Sequence, residues 1–258
     1  MTAGGASDLL FSAIRDGIAI YSPHTAWDAI DGGANDVLAD VLWTPSPDAD
    51  QNLREEGIPE SRITRVGNIM MDSYELVRPA ILAADYPGEL GFAAGSYGVV
   101  TLHRPSNVDV PEQLDRLVEA LIAVQAHLPL IFPVHPRTRQ RLGEAGVAKL
   151  EAAGLTLVGP AAYVRFMSLV AGAAAVITDS GGIQEETTYL GIPCLTLREN
   201  TERPITISEG TAQLVNADRL LERLLAALAQ PRQDRKRPDL WDGRTAERCV
   251  EDLRRRSE

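Results

Sequence analysis

The sequence is poor in cysteine, in aromatic residues and in positive charge: 258 residues carry two cysteines, 5% aromatics, and 25 Lys plus Arg against 36 Asp plus Glu, a net charge of −11. Cys194 and Cys249 lie far apart with no Cys-x-x-Cys spacing, which excludes a disulfide framework or a zinc knuckle and points to a reducing, cytoplasmic compartment. The shortage of cations excludes an extended surface for nucleic acid or for anionic membranes. Any anion site must then be a local pocket. The longest apolar stretch, residues 169–178, is about half the ~18 residues that a membrane span needs. No basic segment precedes an apolar run at the N-terminus. Neither nucleic acid nor membrane is expected as a partner. With 45% hydrophobic and 24% charged residues, the chain has the composition of a folded domain rather than a disordered one.

What is present is alternation. Short apolar runs at 99–102, 130–134, 155–158, 174–178, 194–197 and 213–215 are separated by amphipathic segments at 111–126, 138–153, 163–171, 183–190 and 218–229. Strands alternating with helices in this way predict βαβ units, hence an α/β fold built on a Rossmann-like, doubly wound parallel sheet. A terminal helix over 244–255 follows a polar, Pro-containing linker at 230–238. Upstream the pattern is thinner, with strands expected at 18–21, 42–44 and 63–66 and helices at 48–56 and 72–84. The Gly- and Ala-rich stretch 88–96 reads as a linker. The expected organisation is a partial N-terminal α/β unit over 1–94 and a complete Rossmann-like domain over 95–258 that ends in a crossover helix.

Three clusters carry chemistry. In Ala175-Val-Ile-Thr-Asp-Ser180-Gly181-Gly182-Ile-Gln-Glu185-Glu186, a buried strand runs into two glycines and then a helix. Glycines at such a turn let backbone N–H groups approach a phosphate, and the helix N-terminus adds unsatisfied donors and a partial positive charge. A side chain at Gly181 would fill the phosphate space. Glu185 or Glu186 could accept hydrogen bonds from a ribose diol. The bland reading is helix capping by Ser180, with the carboxylates favoured by the helix dipole. The second cluster pairs His103-Arg104-Pro-Ser-Asn107 with Pro133-Val-His135-Pro-Arg137, each directly after a strand, where α/β folds place ligand loops. Two imidazoles and two guanidiniums there suit a diphosphate or acid–base work near pH 7; capping of a loop by either His alone is the competing reading. Third, Arg198-Glu-Asn-Thr-Glu-Arg203-Pro follows the next strand. It brings Arg203 to the same edge, unless these charges are only a solvated face.

Taken together, Thr101-Leu-His-Arg-Pro-Ser-Asn-Val, Pro133-Val-His-Pro-Arg-Thr, Thr178-Asp-Ser-Gly-Gly-Ile-Gln-Glu-Glu, Leu190-Gly-Ile-Pro-Cys, Thr201-Glu-Arg-Pro and Glu209-Gly-Thr resemble the non-hydrolysing UDP-N-acetylglucosamine 2-epimerases. The likeness extends through Trp43-Thr-Pro-Ser and Arg65-Val-Gly-Asn-Ile-Met-Met-Asp to Asp242-Gly-Arg-Thr-Ala-Glu-Arg. The resemblance implies the C-terminal half of a GT-B architecture, with a truncated N-terminal domain. It implies an isomerase that interconverts UDP-N-acetylglucosamine and UDP-N-acetylmannosamine by eliminating UDP and adding it back to a 2-acetamidoglucal intermediate. It assigns the diphosphate to Ser180, Gly181 and Gly182, the ribose hydroxyls to Glu186, the uracil to Phe166, and the diphosphate and sugar region to His135 and Arg203, with His103, Arg104 and Asn107 as further substrate-binding candidates. His135 is the catalytic candidate. The substrate is a UDP-sugar, no cofactor or metal is implied, and a homodimer is left open.

The family's opening Gly-Thr-Arg-Pro-Glu-like and later Glu-Ala-Gly-Leu-Arg motifs, with their catalytic carboxylates, have no match before residue 40. In their place, Ile14-Arg-Asp-Gly-Ile-Ala-Ile-Tyr-Ser-Pro-His24-Thr-Ala-Trp-Asp28 resembles a fragment of the GTP cyclohydrolase type 2-like dinuclear metal family. His24 and Asp28 alone would not complete a metal site. Impaired turnover, or UDP-sugar binding without turnover, is the expectation that follows.

Overall fold

Among the described residues, the alternating apolar runs fold into two parallel sheets, a three-stranded and a six-stranded one. The structure is a computed structural model that describes residues 19–20, 39–230 and 237–257. The chain divides into two compact units, residues 1–76 together with 238–258, and residues 77–237.

In the first unit, β1 (Ala19–Ile20), β2 (Leu42–Thr44) and β3 (Ile63–Arg65) pair in the order β1-β2-β3, with Ala19 opposite Leu42 and Leu42 opposite Ile63. The period-two pleat sends neighbouring side chains to opposite faces. Leu42 packs with Ala39, Ala49 and Leu53, the last two on the Pro47–Glu55 helix. Val41 and Trp43 pack with Val66, Cys249 and Leu253. The second of these layers is the terminal helix, Thr245–Ser257. Its amino end is capped from a distance: the Asp72 carboxylate accepts the N–H groups of Thr245 (3.0 Å) and Ala246 (2.8 Å), as a carboxylate near a helix N-terminus should. Trp43 Nε1 donates to Asp252 at 2.9 Å.

The second unit carries β4 (Gly98–Thr101), β5 (Leu130–Pro133), β6 (Thr156–Val158), β7 (Ala175–Thr178), β8 (Cys194–Thr196) and β9 (Ala212–Leu214) in the order β6-β5-β4-β7-β8-β9, all parallel. Numbered from its own first strand, that is 3-2-1-4-5-6, the doubly wound order, whose strand sequence reverses between β4 and β7. Every strand expected from the sequence in this unit is present to within a residue or two, because a parallel sheet covered on both faces makes its strands continuous apolar runs. The core gathers Val100, Phe132, Ile177 and Leu195 from the strands. The Pro111–Gln125 helix turns Leu114, Leu117, Val118, Leu121 and Val124 inward at helical spacing.

Two features differ from expectation. Residues 88–96 are not a plain linker. Tyr86–Glu89 is a helical turn capped by the Asp85 carboxylate, which accepts Gly88 N–H at 3.1 Å, and a Cβ on Gly88 would overlap that carboxylate. Phe92 then meets Tyr97 edge-on at 5.7 Å between centroids, and Gly95 N–H donates to the Gly172 carbonyl at 2.7 Å. Gly88 thus serves close approach, and the two compact units are bounded at 76/77 and 237/238. The Pro136–Ala152 helix is also broken at Gly143, where φ is 63° and ψ is −177°.

Candidate functional site

The carboxyl ends of β4 and β7, either side of the reversal in strand order, carry the residues that the sequence singled out. Asp179 follows β7 directly and is fully buried. Its carboxylate accepts the backbone N–H of His103 (3.0 Å) and Arg104 (2.9 Å) and the Asn107 side-chain amide (3.2 Å), and it lies 2.9 Å from His103 Nδ1. The amide of Asn107 also donates to the Leu197 carbonyl at 3.0 Å. One carboxylate therefore ties together three of the expected site residues. Burial raises its pKa, but the hydrogen bonds and charge from His103, Arg104 and Asn107 outweigh burial and hold it below the ordinary aspartate value. The His103 side chain stays half-exposed at 47%. Sequence reasoning passed over Asp179 because its partners lie 72–76 residues away along the chain.

His135 sits apart from this group in role. It is exposed at the amino end of the Pro136–Ala152 helix, where its Nδ1 accepts the Arg137 N–H at 3.3 Å. That is the capping role weighed for it from sequence. Thr138 in the same turn donates its hydroxyl to the Leu102 carbonyl at 2.5 Å, which anchors the helix start to the end of β4.

Ser180, Gly181 and Gly182 form the turn from β7 into the Gly181–Leu190 helix. Ser180 occupies the N-cap position with extended backbone, but its hydroxyl makes no capping hydrogen bond. Gly182 has nothing within 4 Å of where a Cβ would stand. At Gly181 a Cβ would meet the Arg203 guanidinium, with Cζ at 2.6 Å. The space beside Gly181 is therefore taken by a cation, not held open for a phosphate, and the open side of the turn is at Gly182. Arg203 is 8% exposed. Its Nε lies 3.2 Å from Glu185 and its Nη1 3.7 Å from Glu202.

The two candidate ribose carboxylates separate here. Glu185 faces Arg203, whereas Glu186 accepts the Tyr163 hydroxyl at 2.8 Å. Burial, with Glu185 adding to it and the Tyr163 bond opposing, pushes the Glu186 carboxyl up to about 7. Tyr163 was missed from sequence. It lies three residues before half-buried Phe166 on the Tyr163–Gly172 helix, so the two rings lie near one helical face, and that Tyr-x-x-Phe spacing was the available signal. Glu202 is the hub of the β8 loop. Arg198 donates to both its oxygens, at 2.6 and 2.5 Å, and Arg104 reaches it at 3.4 Å. Hydrogen bonds from Arg198 hold the Glu202 carboxyl down to about 2. His24 and Asp28 lie outside the described residues. No helix among the described residues is long and apolar enough to cross a membrane.

Comparison with known proteins places this geometry. The family described as UDP-N-acetylglucosamine 2-epimerase matches residues 28–254, beginning inside the stretch that had resembled a metal-family fragment. A UDP-N-acetylglucosamine 2-epimerase homolog of Methanococcus maripaludis is 36% identical over 73% of this chain and 54% of its own length. The UDP-2,3-diacetamido-2,3-dideoxy-D-glucuronate 2-epimerase of Pseudomonas aeruginosa is 34% identical over 77% and 55%. The crystal structure of the Methanocaldococcus jannaschii UDP-GlcNAc 2-epimerase in complex with UDP-GlcNAc and UDP superposes with a TM-score of 0.76 at 34% identity, covering 86% of this chain and 62% of that one. The chain thus spans just over half the length of these curated relatives. With the family matched across most of the sequence and its motifs gathered on one sheet edge, this chain belongs to the UDP-N-acetylglucosamine 2-epimerase family.

Proposed function

We propose that the second unit binds UDP and a UDP-N-acetylhexosamine, and that the reaction served is interconversion of UDP-N-acetylglucosamine and UDP-N-acetylmannosamine. The observation that carries this reading is the turn at 180–182. A Ser hydroxyl without a capping role and the open side of Gly182 stand at a helix N-terminus, where unsatisfied N–H groups favour a diphosphate. Arg203 adds charge beside it, Glu186 and Tyr163 are the ribose partners proposed, and Phe166 the uracil contact. In the reaction a proton leaves C2, the C1–O bond breaks and UDP departs with the bonding pair; re-addition returns the proton to the opposite face of C2. His103, oriented by buried Asp179, is the imidazole we assign to proton transfer or to charge on departing UDP. His135, whose Nδ1 serves its helix, is assigned to the sugar region.

Capture of a UDP-sugar without turnover is favoured by one observation. The carboxylates around the turn are each engaged: Asp179 with His103, Glu185 with Arg203, Glu186 with Tyr163 and Glu202 with Arg198. A positioned acid or base contributes about 10²- to 10⁴-fold, so turnover by this chain alone should fall far below ~10 s⁻¹, the enzyme median. Calorimetry with UDP tests binding, and UDP-N-acetylglucosamine in deuterated water tests chemistry. Absence of heat at millimolar UDP in folded protein rejects the binding reading; deuterium at C2 selects chemistry over capture, and median turnover rejects impairment. A cytoplasmic location and a homodimer belong to the same proposal and are read by fractionation and light scattering.

A further inference from the structure

A second concave surface in the 77–237 unit takes Arg104 and Asn107 from the loop after β4 but otherwise lies outside the site at the 180–182 turn. A cleft of about 870 Å³ opens beyond the carboxyl ends of β8 and β9, with walls from the Pro111–Gln125 and Leu220–Ala229 helices. Its size lies within the ~300–1,000 Å³ of small-molecule sites. Neither Ser180, Gly181, Gly182, Glu186 nor Arg203 lines it. What does line it is cationic: Arg104, Arg116, Arg198, Arg219 and Arg223, against only Glu199 and Asp218. In a chain of net charge −11 with 25 basic residues, five arginines on one concave surface run against the charge of the whole.

The arginines fall into two kinds. Arg198 is 6% exposed and committed to Glu202, so it forms a fixed wall. Arg116 pairs with Asp218 at 2.7 Å and Arg219 with Glu222 at 3.0 Å, and all four side chains are more than half exposed. Exposed pairs of this sort contribute about 0–1 kcal/mol, so a ligand oxygen can take over either guanidinium at little cost. Guanidinium forks suit phosphate and carboxylate groups, and amides of Asn200 and Asn216 add donors. The lining contains no aromatic ring, which leaves nothing for a nucleobase to stack upon. We infer that this cleft is a second anion site, distinct from the Ser180–Gly182 turn, for a compact non-aromatic polyanion bearing two or more phosphate or carboxylate groups.

The test is calorimetry on the full chain at low ionic strength, with inorganic pyrophosphate and with citrate as probes, in the absence and presence of saturating UDP. With UDP saturating and the turn occupied, one probe should still bind per chain; which probe binds tighter there identifies phosphate or carboxylate as the preferred group. The triple variant Arg116→Gln, Arg219→Gln, Arg223→Gln should weaken binding at least tenfold while its circular dichroism and UDP titration match wild type. Asp218→Asn, which removes a competing carboxylate, should tighten binding severalfold. Anion binding that vanishes under saturating UDP, or that is unchanged in both the triple variant and Asp218→Asn, overturns the inference. If UDP itself does not bind, the UDP-binding reading fails separately, and the two variants still decide the cleft.

Discussion

Adjacent glycines at the turn after β7 should respond in opposite ways to a single methyl group. At Gly181 the new Cβ overlaps the Arg203 guanidinium, whose Cζ would be 2.6 Å away. An ordinary carbon contact needs about 3.5–4.0 Å, so the guanidinium must shift by about 1 Å or more. It cannot shift freely, because it is 8% exposed and 3.2 Å from Glu185, itself 4% exposed. Breaking a buried pair costs about 3–5 kcal/mol when one partner is lost; a displaced rather than deleted cation should cost about 2–4. At Gly182 nothing lies within 4 Å, and replacing a helical glycine by alanine gains up to about 1 kcal/mol. We therefore expect Gly181→Ala to lose roughly 3 kcal/mol relative to Gly182→Ala, a melting difference of about 6–12 °C at the ~2–4 °C per kcal/mol usual for this size. Urea unfolding followed by circular dichroism measures it. Gly182→Ala should remain stable yet weaken UDP, since its methyl enters the open side of the turn. Equal stability of the two variants within about 0.5 kcal/mol would refute the packing argument, and full UDP affinity in Gly182→Ala would refute the placement of the diphosphate.

Glu186 gives a pH signature. Its carboxyl is raised from 4.5 to about 7 in the folded chain, so its contribution to stability is fully present below about 4.5 and is lost as pH rises through about 7; at about 1.4 kcal/mol per pH unit the loss is at most about 3–4 kcal/mol. Glu186→Gln should remove that slope, and parallel stability profiles for the two proteins between pH 4.5 and 8 would contradict it. Asp179→Asn leaves an amide where four donors converge, and should cost about 2–4 kcal/mol and weaken UDP-sugar binding, whereas His135→Ala should cost about 1 kcal/mol through loss of a cap; the reverse ranking in thermal melts would exchange the roles of the two histidines. His24→Ala combined with Asp28→Ala should leave metal content unchanged by elemental analysis, and loss of a stoichiometric metal would revive a metal site at the N-terminus.

Legibility from sequence followed the length of each signal. The strands and long helices of the second unit were readable because burial on both faces turns strands into apolar runs and helices into periodic ones. Four-residue helices such as Pro105–Val108 and Ile205–Ser208 are too short to display a period, and Tyr86–Glu89 was hidden by glycine used for close approach. At the site, the Ser-Gly-Gly turn was readable because its chemistry is local. Asp179 was quoted in its motif but its role was not, since that role depends on β4 and β7 becoming neighbours. The mistaken space at Gly181 has the same origin: Arg203 arrives from 22 residues downstream, on the loop after β8.

The division of the chain also sets an order of assembly. Residues 77–237 are contiguous, so the whole doubly wound sheet can form as soon as its last strand leaves the ribosome, in keeping with domains folding as units during synthesis. The first unit is split. Trp43 waits for Asp252, 209 residues later, and the Asp72 carboxylate waits for the N–H groups of Thr245 and Ala246. At ~5–20 residues per second, the face of β2 bearing Val41 and Trp43 stays without its terminal helix for roughly 10–40 s of translation. Strands made before the second unit are thus covered only after it, and the interval in which that face of β2 is open to a chaperone or a protease is set by the time needed to make residues 77–237.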